Sequence, residues 1–218
     1  MSTEIQAILM LILGWLLGLL SPSIINYIQD KQKAIKIKKS LLSEMEECQI
    51  IMANVAYLIE SKYVAINHKL FDDLINIYEN YNGINDYNDK LLRLKKLKTT
   101  PKEELETMTE IQLYENMDKF LSFKKYDLPY LRSKINDISL LDENVQSNLL
   151  QLNFKLNLFN SEVEESKFHY QLTFSSEVSE ENQEINKQIL KDKQLVILDQ
   201  IKRIITLITK LKQDITSC

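Results

Sequence analysis

The sequence predicts an all-α protein with a single N-terminal transmembrane helix, followed by a cytoplasmic antiparallel helical bundle. No Asp, Glu, Lys or Arg occurs from Ile5 to Gln29. Three glycines and three prolines in 218 residues are far fewer than proteins built of strands and turns use. Apolar residues recur at alternating steps of three and four along most of the remaining chain. We therefore divide the chain into a membrane anchor, residues 1–30, and one helical domain, residues 31–218.

The charge-free stretch is long enough to cross a bilayer, because a spanning helix needs about 20 mostly apolar residues. Its polar residues lie near its ends, Gln6 at one end and Ser21, Ser23 and Asn26 at the other. A cleaved secretory signal is the competing interpretation. Such a signal carries positive charge before its apolar run and a small-residue cleavage site after it. No Lys or Arg precedes this run, which favours the anchor.

Basic residues directly after the apolar run predict its orientation, because cytoplasmic flanks of membrane helices collect Lys and Arg. We call these residues the basic collar: Lys31, Lys33, Lys36, Lys38 and Lys39. The predicted location is the inner (cytoplasmic) membrane, with the N-terminus outside and the domain in the cytoplasm. The collar either sets this topology alone or also binds anionic membrane lipid, and the first interpretation is favoured.

Two features inside the anchor affect its packing. Pro22, between two serines, either starts a new helix or kinks a continuing one. Gly14 and Gly18 lie four residues apart on one helix face, the spacing that lets two bilayer helices approach closely. This pattern predicts self-association of the anchor. It also arises by chance in apolar segments, and the anchors would then stay independent.

An amphipathic helix follows the collar, with one apolar face formed by Leu41, Met45, Cys48, Met52, Val55 and Ile59. After an irregular patch the pattern resumes at Ile66, Leu70, Leu74, Ile77 and Tyr81. We expect a break near residues 60–65, and one helix running to Asn82 is the alternative. Gly83 is expected to end the helix in a left-handed conformation, with a loop through Asn85 and Asp86.

A short basic segment, Lys90–Lys98, either touches the membrane or an acidic partner, or packs its leucines and exposes its lysines. The second interpretation is favoured. Thr100, Pro101 and Glu103 then form a capping box that starts a helix. Its apolar residues run to about Phe123 and are Leu105, Met108, Ile111, Tyr114, Met117 and Leu121.

Pro129 starts a short helical piece, and Ser139 with Asp142 opens the next long helix. The stretch from Leu150 to Phe174 is ambiguous, because alternating apolar residues could form a β-hairpin. Helical spacing is also present at Val145, Leu149, Leu152, Leu156, Phe159 and Val163. The helix is favoured, since this pattern is long and residues 160–167 lack the residues of a tight turn.

The final helix is predicted to begin near Ser179 and to carry Lys210 and Lys212 in its last turn. Its apolar seam consists of Leu190, Gln194, Ile197, Ile201, Ile204, Ile208, Leu211 and Ile215. The seam packs either inside the bundle or against a second copy or another protein. Apolar residues beside it, Leu198, Ile205 and Leu207, widen the stripe and favour bundle packing.

Residues with chemistry are few, and we expect no enzyme activity, cofactor or metal. The two histidines, His68 and His169, lack neighbours that would suit catalysis, and no phosphate loop or metalloprotease motif is present. A net charge of −4 with interspersed signs does not indicate nucleic-acid binding. Cys48 and Cys218 are expected to be free thiols in a reducing compartment. Paired acidic residues are typical of solvated helix faces: Asp72-Asp73, Glu103-Glu104 and Glu180-Glu181.

The N-terminal pattern supports a family-level comparison. The short anchor with Gly14 and Gly18, the basic collar and the segment Leu41-Leu-Ser-Glu-Met-Glu-Glu47 resemble small bacterial single-pass proteins of unassigned function. Some of those proteins are membrane components of antiphage systems. The resemblance covers roughly the first 60 residues and carries no catalytic motif.

Two hypotheses for function follow. The first is a non-enzymatic, membrane-tethered interaction or scaffold module that holds its bundle at the inner membrane to bind another protein or itself. The second is a membrane-acting effector, antiphage or toxin-like, whose domain senses a signal and clusters the anchors to perturb the bilayer. A water-filled pore needs a polar face, and the anchor offers Gln6 alone in its outer part. This favours the first hypothesis and leaves the partner and the oligomeric state open.

Overall fold

The computed structural model describes residues 3–64, 68–83, 87–115 and 121–217, which contain helices and no strand. The predicted all-α class is therefore confirmed for these ranges. Seven α-helices and a short 3-10 helix at Ile138–Leu140 occur in them. The α-helices are α1 (Thr3–Tyr63), α2 (His68–Glu79), α3 (Asn88–Lys98), α4 (Lys102–Glu115), α5 (Pro129–Ser133), α6 (Glu143–Thr173) and α7 (Glu180–Ser217).

Helix α1 changes its surroundings along its length. It continues through Pro22, so the alternative in which the serines start a new helix is wrong. Every described side chain from Ile5 to Lys33 is exposed. Beyond that point one face is buried, mainly at Ile37, Leu41, Met45, Cys48, Met52 and Ile59. The N-terminal half of α1 is thus unpacked, and the C-terminal half belongs to the core.

Helices α1, α6 and α7 surround the larger hydrophobic core. The whole predicted apolar face of α6 is buried there, together with the predicted seam of α7 from Ile197 to Ile215. The first two seam residues, Leu190 and Gln194, are buried as well. Contacts at both ends show that α6 and α7 run antiparallel: Asn148 bonds to Asp214, and His169 contacts Asn186. The helical prediction for residues 150–173 is therefore confirmed, and the hairpin alternative is wrong.

Helix α1 also runs antiparallel to α7. The Gln49 amide donates to Thr209 Oγ1 at 2.9 Å, and Glu60, nearer the end of α1, pairs with Lys202 at 2.5 Å. A smaller core lies on another side of α1 and is formed by residues of α1, α2, α3 and α4. It consists of Ile50, Ala53, Leu70, Phe71, Leu74, Ile75, Tyr78, Leu94 and Leu105.

The break predicted near residues 60–65 is confirmed, because α1 ends at Tyr63 and α2 begins at His68. The predicted role of Gly83 is wrong, since α2 ends at Glu79 and no described glycine has a positive φ. A Cβ atom at Gly83 would instead clash with the ring of Tyr81, so close approach explains this glycine. Ile66, Asn85 and Asp86 lie outside the described residues.

Helix α4 begins at Lys102, as predicted, but the predicted extension to Phe123 is wrong because residues 121–128 are not helical. Of its expected apolar face, Leu105 is buried, whereas Met108 and Ile111 are exposed. Met117 and the side chain of Tyr114 lie outside the described part of the chain. The predicted cap has a different role, since the Thr100 hydroxyl donates to the carbonyl of Lys96 at 3.2 Å and closes α3.

Two helix boundaries also differ. Ser139 lies in the 3-10 helix, and α6 begins at Glu143 directly after Asp142, whose side chain makes no capping hydrogen bond. Helix α7 begins as predicted, because Ser179 Oγ accepts from the backbone N–H of Asn182 at 3.4 Å. It ends at Ser217, so Lys210 and Lys212 precede the last turn.

Candidate functional site

The N-terminal half of α1 is the first candidate surface. Its described side chains are all exposed, and α1 is long and apolar enough to cross a membrane. Leu11 is 75% exposed and Trp15 65% exposed. Apart from the adjacent residues and backbone of α1 itself, nothing lies within 4 Å of the position that a Cβ would take at Gly14 or Gly18, so this face is open to a neighbouring helix.

The basic collar lies where α1 meets the folded domain. Lys31, Lys36 and Lys39 are exposed, and Lys38 is half-buried. Lys33 Nζ donates to Asp137 Oδ1 at 2.7 Å, which joins the collar to the turn after α5. This hydrogen bond, with the nearby charge of Lys134, lowers the pKa of the Asp137 carboxyl.

The predicted seam of α7 lies in the interior of the chain. Its five central residues have no exposed surface and pack against α1 and α6; they are Ile197, Ile201, Ile204, Ile208 and Leu211. A second copy could reach this seam only if α7 separated from the other two helices.

The basic segment on α3 has acidic neighbours within the same chain. Lys95 Nζ lies 2.6 Å from Glu79 Oε1, and Lys98 Nζ lies 2.5 Å from Asp72 Oδ1. Both carboxylates belong to α2, and Leu94 of α3 is buried beneath them. The segment therefore buries Leu94, leaves Leu92 exposed and pairs two of its lysines with the adjacent helix.

A cavity of about 420 Å³ lies between α1, α2 and α3. Tyr57, Tyr78 and Arg93 are among its lining residues. Lys90 contacts Asn54 Oδ1 and lies 5.6 Å from the centroid of the Tyr78 ring. Burial lowers the pKa of Lys90 and raises that of Tyr57. Its volume is in the range of small-ligand pockets, and Lys90, one of its two lining cations with Arg93, already has partners in the chain.

A further surface, formed by α6 and α7, was not predicted from the sequence. Leu150, Phe154 and Leu158 are 51%, 60% and 40% exposed and lie four residues apart along α6, forming an apolar stripe. Beside the stripe is a groove of about 410 Å³ between α6 and α7. The groove is lined by Gln151, Lys155, Lys202, Arg203, Thr206, Leu207 and Lys210.

This surface combines apolar and positively charged groups. Lys202 pairs with Glu60, and Arg203 pairs with Asp199. Lys155 and Lys210 have no ion pair among the described residues, so the groove keeps positive charge. The sequence did contain a signal: once the core positions of α6 are assigned, the remaining apolar residues fall on the opposite face, where a solvated helix would carry polar ones.

The described residues include two histidines, one cysteine and many carboxylates that could take part in chemistry. Within the described ranges, no three His, Cys, Asp or Glu side chains are placed to hold a metal ion. His169 Nδ1 lies 3.1 Å from Asn186 Oδ1. Cys48 is a buried free thiol, as predicted, and burial raises its pKa. Cys218 lies outside the described residues.

Comparison with known proteins gives no relative: no protein-family model, no curated protein and no solved structure matches the chain.

Proposed function

We propose that this protein is a non-enzymatic, membrane-tethered interaction module. The N-terminal half of α1 crosses the inner membrane, and the remaining helices form an antiparallel bundle in the cytoplasm that binds another protein. The observation that carries this proposal is the change along α1, whose described side chains are exposed up to Lys33 and enter the core from Ile37 onward.

A bilayer explains the exposed half of α1 better than water does. Leaving one large apolar side chain in water forgoes about 1.5–3 kcal/mol of burial free energy, and most residues from Ile8 to Leu17 are of this kind. A long exposed apolar patch on a monomer normally marks an interaction site. A helix satisfies its own backbone hydrogen bonds in lipid, so this segment suits a membrane without a protein partner.

The orientation rests on the basic collar and is tested with reporters fused after Cys218. We expect alkaline phosphatase, which is active only in the periplasm, to stay inactive there, and green fluorescent protein to fluoresce. Replacing all five collar lysines with glutamine should weaken this bias. Strong phosphatase activity in the unmodified chain would place the domain outside and contradict the topology.

The apolar stripe and basic groove of α6 and α7 supply a binding face for the partner. Its chemistry fits an amphipathic helix with one apolar side and acidic residues beside it. The apolar side would cover Leu150, Phe154 and Leu158, and the acidic residues would meet Lys155 and Lys210. Such helix docking is a common mode of peptide recognition, and the positive groove supplies charge complementarity on a chain of net charge −4.

Photocrosslinking in cells tests this binding face. A photoreactive residue at Phe154 should give a discrete adduct, whereas one at Ile185, equally exposed on α7, should not. Lys155→Glu together with Lys210→Glu should abolish the adduct. Lys191→Glu, at an exposed position of α7, should leave it unchanged. An adduct of twice the chain's own mass, or one insensitive to the charge reversals, would contradict an acidic partner.

The unbroken course of α1 favours a second candidate, the membrane-acting effector. Because one helix joins the anchor to the core, a rearrangement of the core would rotate or shift the anchor directly. Expression of the full chain with its genomic neighbours should then depolarise cells and slow growth. Removal of residues 1–30 should abolish both effects. Unchanged membrane potential under all these conditions would contradict the membrane-acting effector, and the interaction module would be the remaining proposal.

A further inference from the structure

The distance along α1 identifies the part of the folded domain that lies nearest the bilayer. The charge-free stretch ends at Gln29, and Lys33 is one helical turn beyond it. At 1.5 Å per residue this places the Lys33 backbone about 6 Å past the end of the stretch. The headgroup region on each side of the hydrocarbon is about 5–8 Å thick. Lys33 therefore lies at headgroup depth if α1 spans the membrane.

The turn at residues 134–137, which follows α5, lies at the same level as Lys33. Asp137 Oδ1 is 2.7 Å from Lys33 Nζ, so the turn cannot be far from the headgroups. The last turns of α7 are farther away, because Lys212 reaches Glu46, which is about 20 Å beyond Lys33 along α1. The turn is thus the part of the packed domain that approaches the membrane most closely among the described contacts to α1.

The residues of the turn suit an anionic, partly apolar surface. Ile135 is 37% exposed. Lys33 and Lys134 both approach the single carboxylate of Asp137, so this cluster keeps a net positive charge. Arg132, just before the turn, is exposed and pairs with Asp127. Basic side chains near a bilayer surface bind anionic lipid, and an apolar side chain between them can enter the interface.

We propose that the turn at residues 134–137 contacts anionic lipid headgroups and, with α1, fixes the domain against the membrane. This inference rests on the proposed membrane insertion of α1. Two points of attachment, one through α1 and one through the turn, hold the domain in one orientation. The stripe and groove of α6 and α7 then face sideways, parallel to the bilayer, where a cytoplasmic partner can reach them.

The test uses the full chain in vesicles of phosphatidylcholine with phosphatidylglycerol. An environment-sensitive fluorophore is attached to Ile135→Cys in a Cys218→Ser background, since Cys48 is buried and protected from labelling. The matched control carries the fluorophore at Glu177→Cys, an exposed position in the loop between α6 and α7 at the far end of the domain. Spin-labelled lipid and aqueous iodide serve as quenchers.

We expect spin-labelled lipid to quench the label at position 135 several-fold more than the label at 177, with iodide giving the opposite order. Lys134→Glu should reduce the lipid quenching at 135, and Lys191→Glu should not. Equal iodide quenching at both positions would overturn the inference. Protection at 135 from both quenchers would also overturn it and would point to a protein covering the turn.

Extraction at alkaline pH separates this inference from the proposed function. If the chain leaves the vesicles on extraction, the membrane insertion of α1 fails and the proposed function fails with it. If the chain stays in the membrane and the label at 135 is exposed to water, the membrane insertion of α1 is supported and the proposed lipid contact of the turn is contradicted.

Discussion

Individual buried or half-buried polar side chains hold the irregular part of this chain in place. The Asn160 amide oxygen accepts from the Tyr126 N–H at 2.9 Å, and its NH₂ donates to the Tyr126 carbonyl at 2.8 Å. Gln194, the polar position in the α7 seam, has no exposed surface and donates to the Leu121 carbonyl at 2.6 Å. These contacts satisfy three backbone groups of residues 121–128, which make no helix of their own. A polar interruption of an apolar seam therefore has a structural role here.

Glu44 has a similar role for α5, and we expect its replacement to destabilise the domain. Its carboxylate accepts the N–H groups of Tyr130 at 2.6 Å and Leu131 at 2.9 Å, capping the first turn of α5. In Glu44→Gln one acceptor oxygen becomes a donor, which leaves a backbone N–H unpaired. The free energy of unfolding should fall by about 1–3 kcal/mol. Chemical denaturation of the full chain in detergent micelles measures this.

The control is Glu110→Gln on an exposed part of α4, which should stay within about 0.5 kcal/mol of the unmodified chain. Burial raises the pKa of Glu44 above its usual 4.5, although the two N–H donors oppose the shift. A raised folded-state pKa means that ionisation opposes folding. The stability that Glu44 contributes should therefore fall as pH rises from 4.5 through its folded pKa. An equal loss in Glu110→Gln would contradict the capping role.

At the scale of helices, sequence periodicity predicted the long elements well and the irregular ones poorly. The main core positions of α6 and α7 could be read directly, because the predicted face and seam residues lie three or four positions apart and all of them are buried. The conformation of residues 121–128 could not be predicted, because the side chains that bind their backbone, Asn160 and Gln194, are distant in sequence. The prediction for Gly83 was wrong for another reason. The Tyr81 ring lies too close for a Cβ atom at this position, and the glycine does not adopt a positive φ.

Surfaces were harder to predict than helices. The anchor and collar are local patterns in the sequence, so their residues could be named in advance. The stripe and groove combine α6 with α7, and the turn at residues 134–137 meets Lys33 from a different part of the chain. Such surfaces depend on which helices pack side by side. Periodicity predicts the buried face of each helix but does not predict which other helices pack against that face.

The anchor half of α1 carries a prediction of its own. Gly14 and Gly18 face open space, so a second anchor could approach the backbone there. Gly14→Ile or Gly18→Ile should reduce self-association of residues 1–40 in a membrane two-hybrid assay, because a branched side chain blocks the close contact. Leu11→Ile, which keeps the apolar volume, should not. Equal signals from the three variants would make both glycines ordinary lipid-facing residues.

For the whole molecule, α1 consists of an exposed apolar half and a half that belongs to the hydrophobic cores. Both hydrophobic cores use α1 from Ile37 onward, while the described residues up to Lys33 contribute no buried side chain. Truncation before residue 36 would remove the Lys33–Asp137 ion pair and the partly buried Ala34, and the Lys33 side chain is about half-exposed. Surface ion pairs of this kind contribute little to stability. The folded domain should therefore not need the anchor.

We accordingly predict that residues 36–218 fold by themselves into a soluble, mostly helical domain. Far-ultraviolet circular dichroism should show a helical majority and a cooperative thermal transition. The matched control is a fragment of residues 46–218, which lacks Ile37, Leu41 and Met45 as well as Glu44, the cap of α5. Burial of each of these three side chains contributes about 1.5–3 kcal/mol. Since a domain is typically stable by about 5–15 kcal/mol, the shorter fragment should lose its cooperative transition. A strand-dominated spectrum of residues 36–218, or equal cooperativity of the two fragments, would contradict the division of α1 at Ile37.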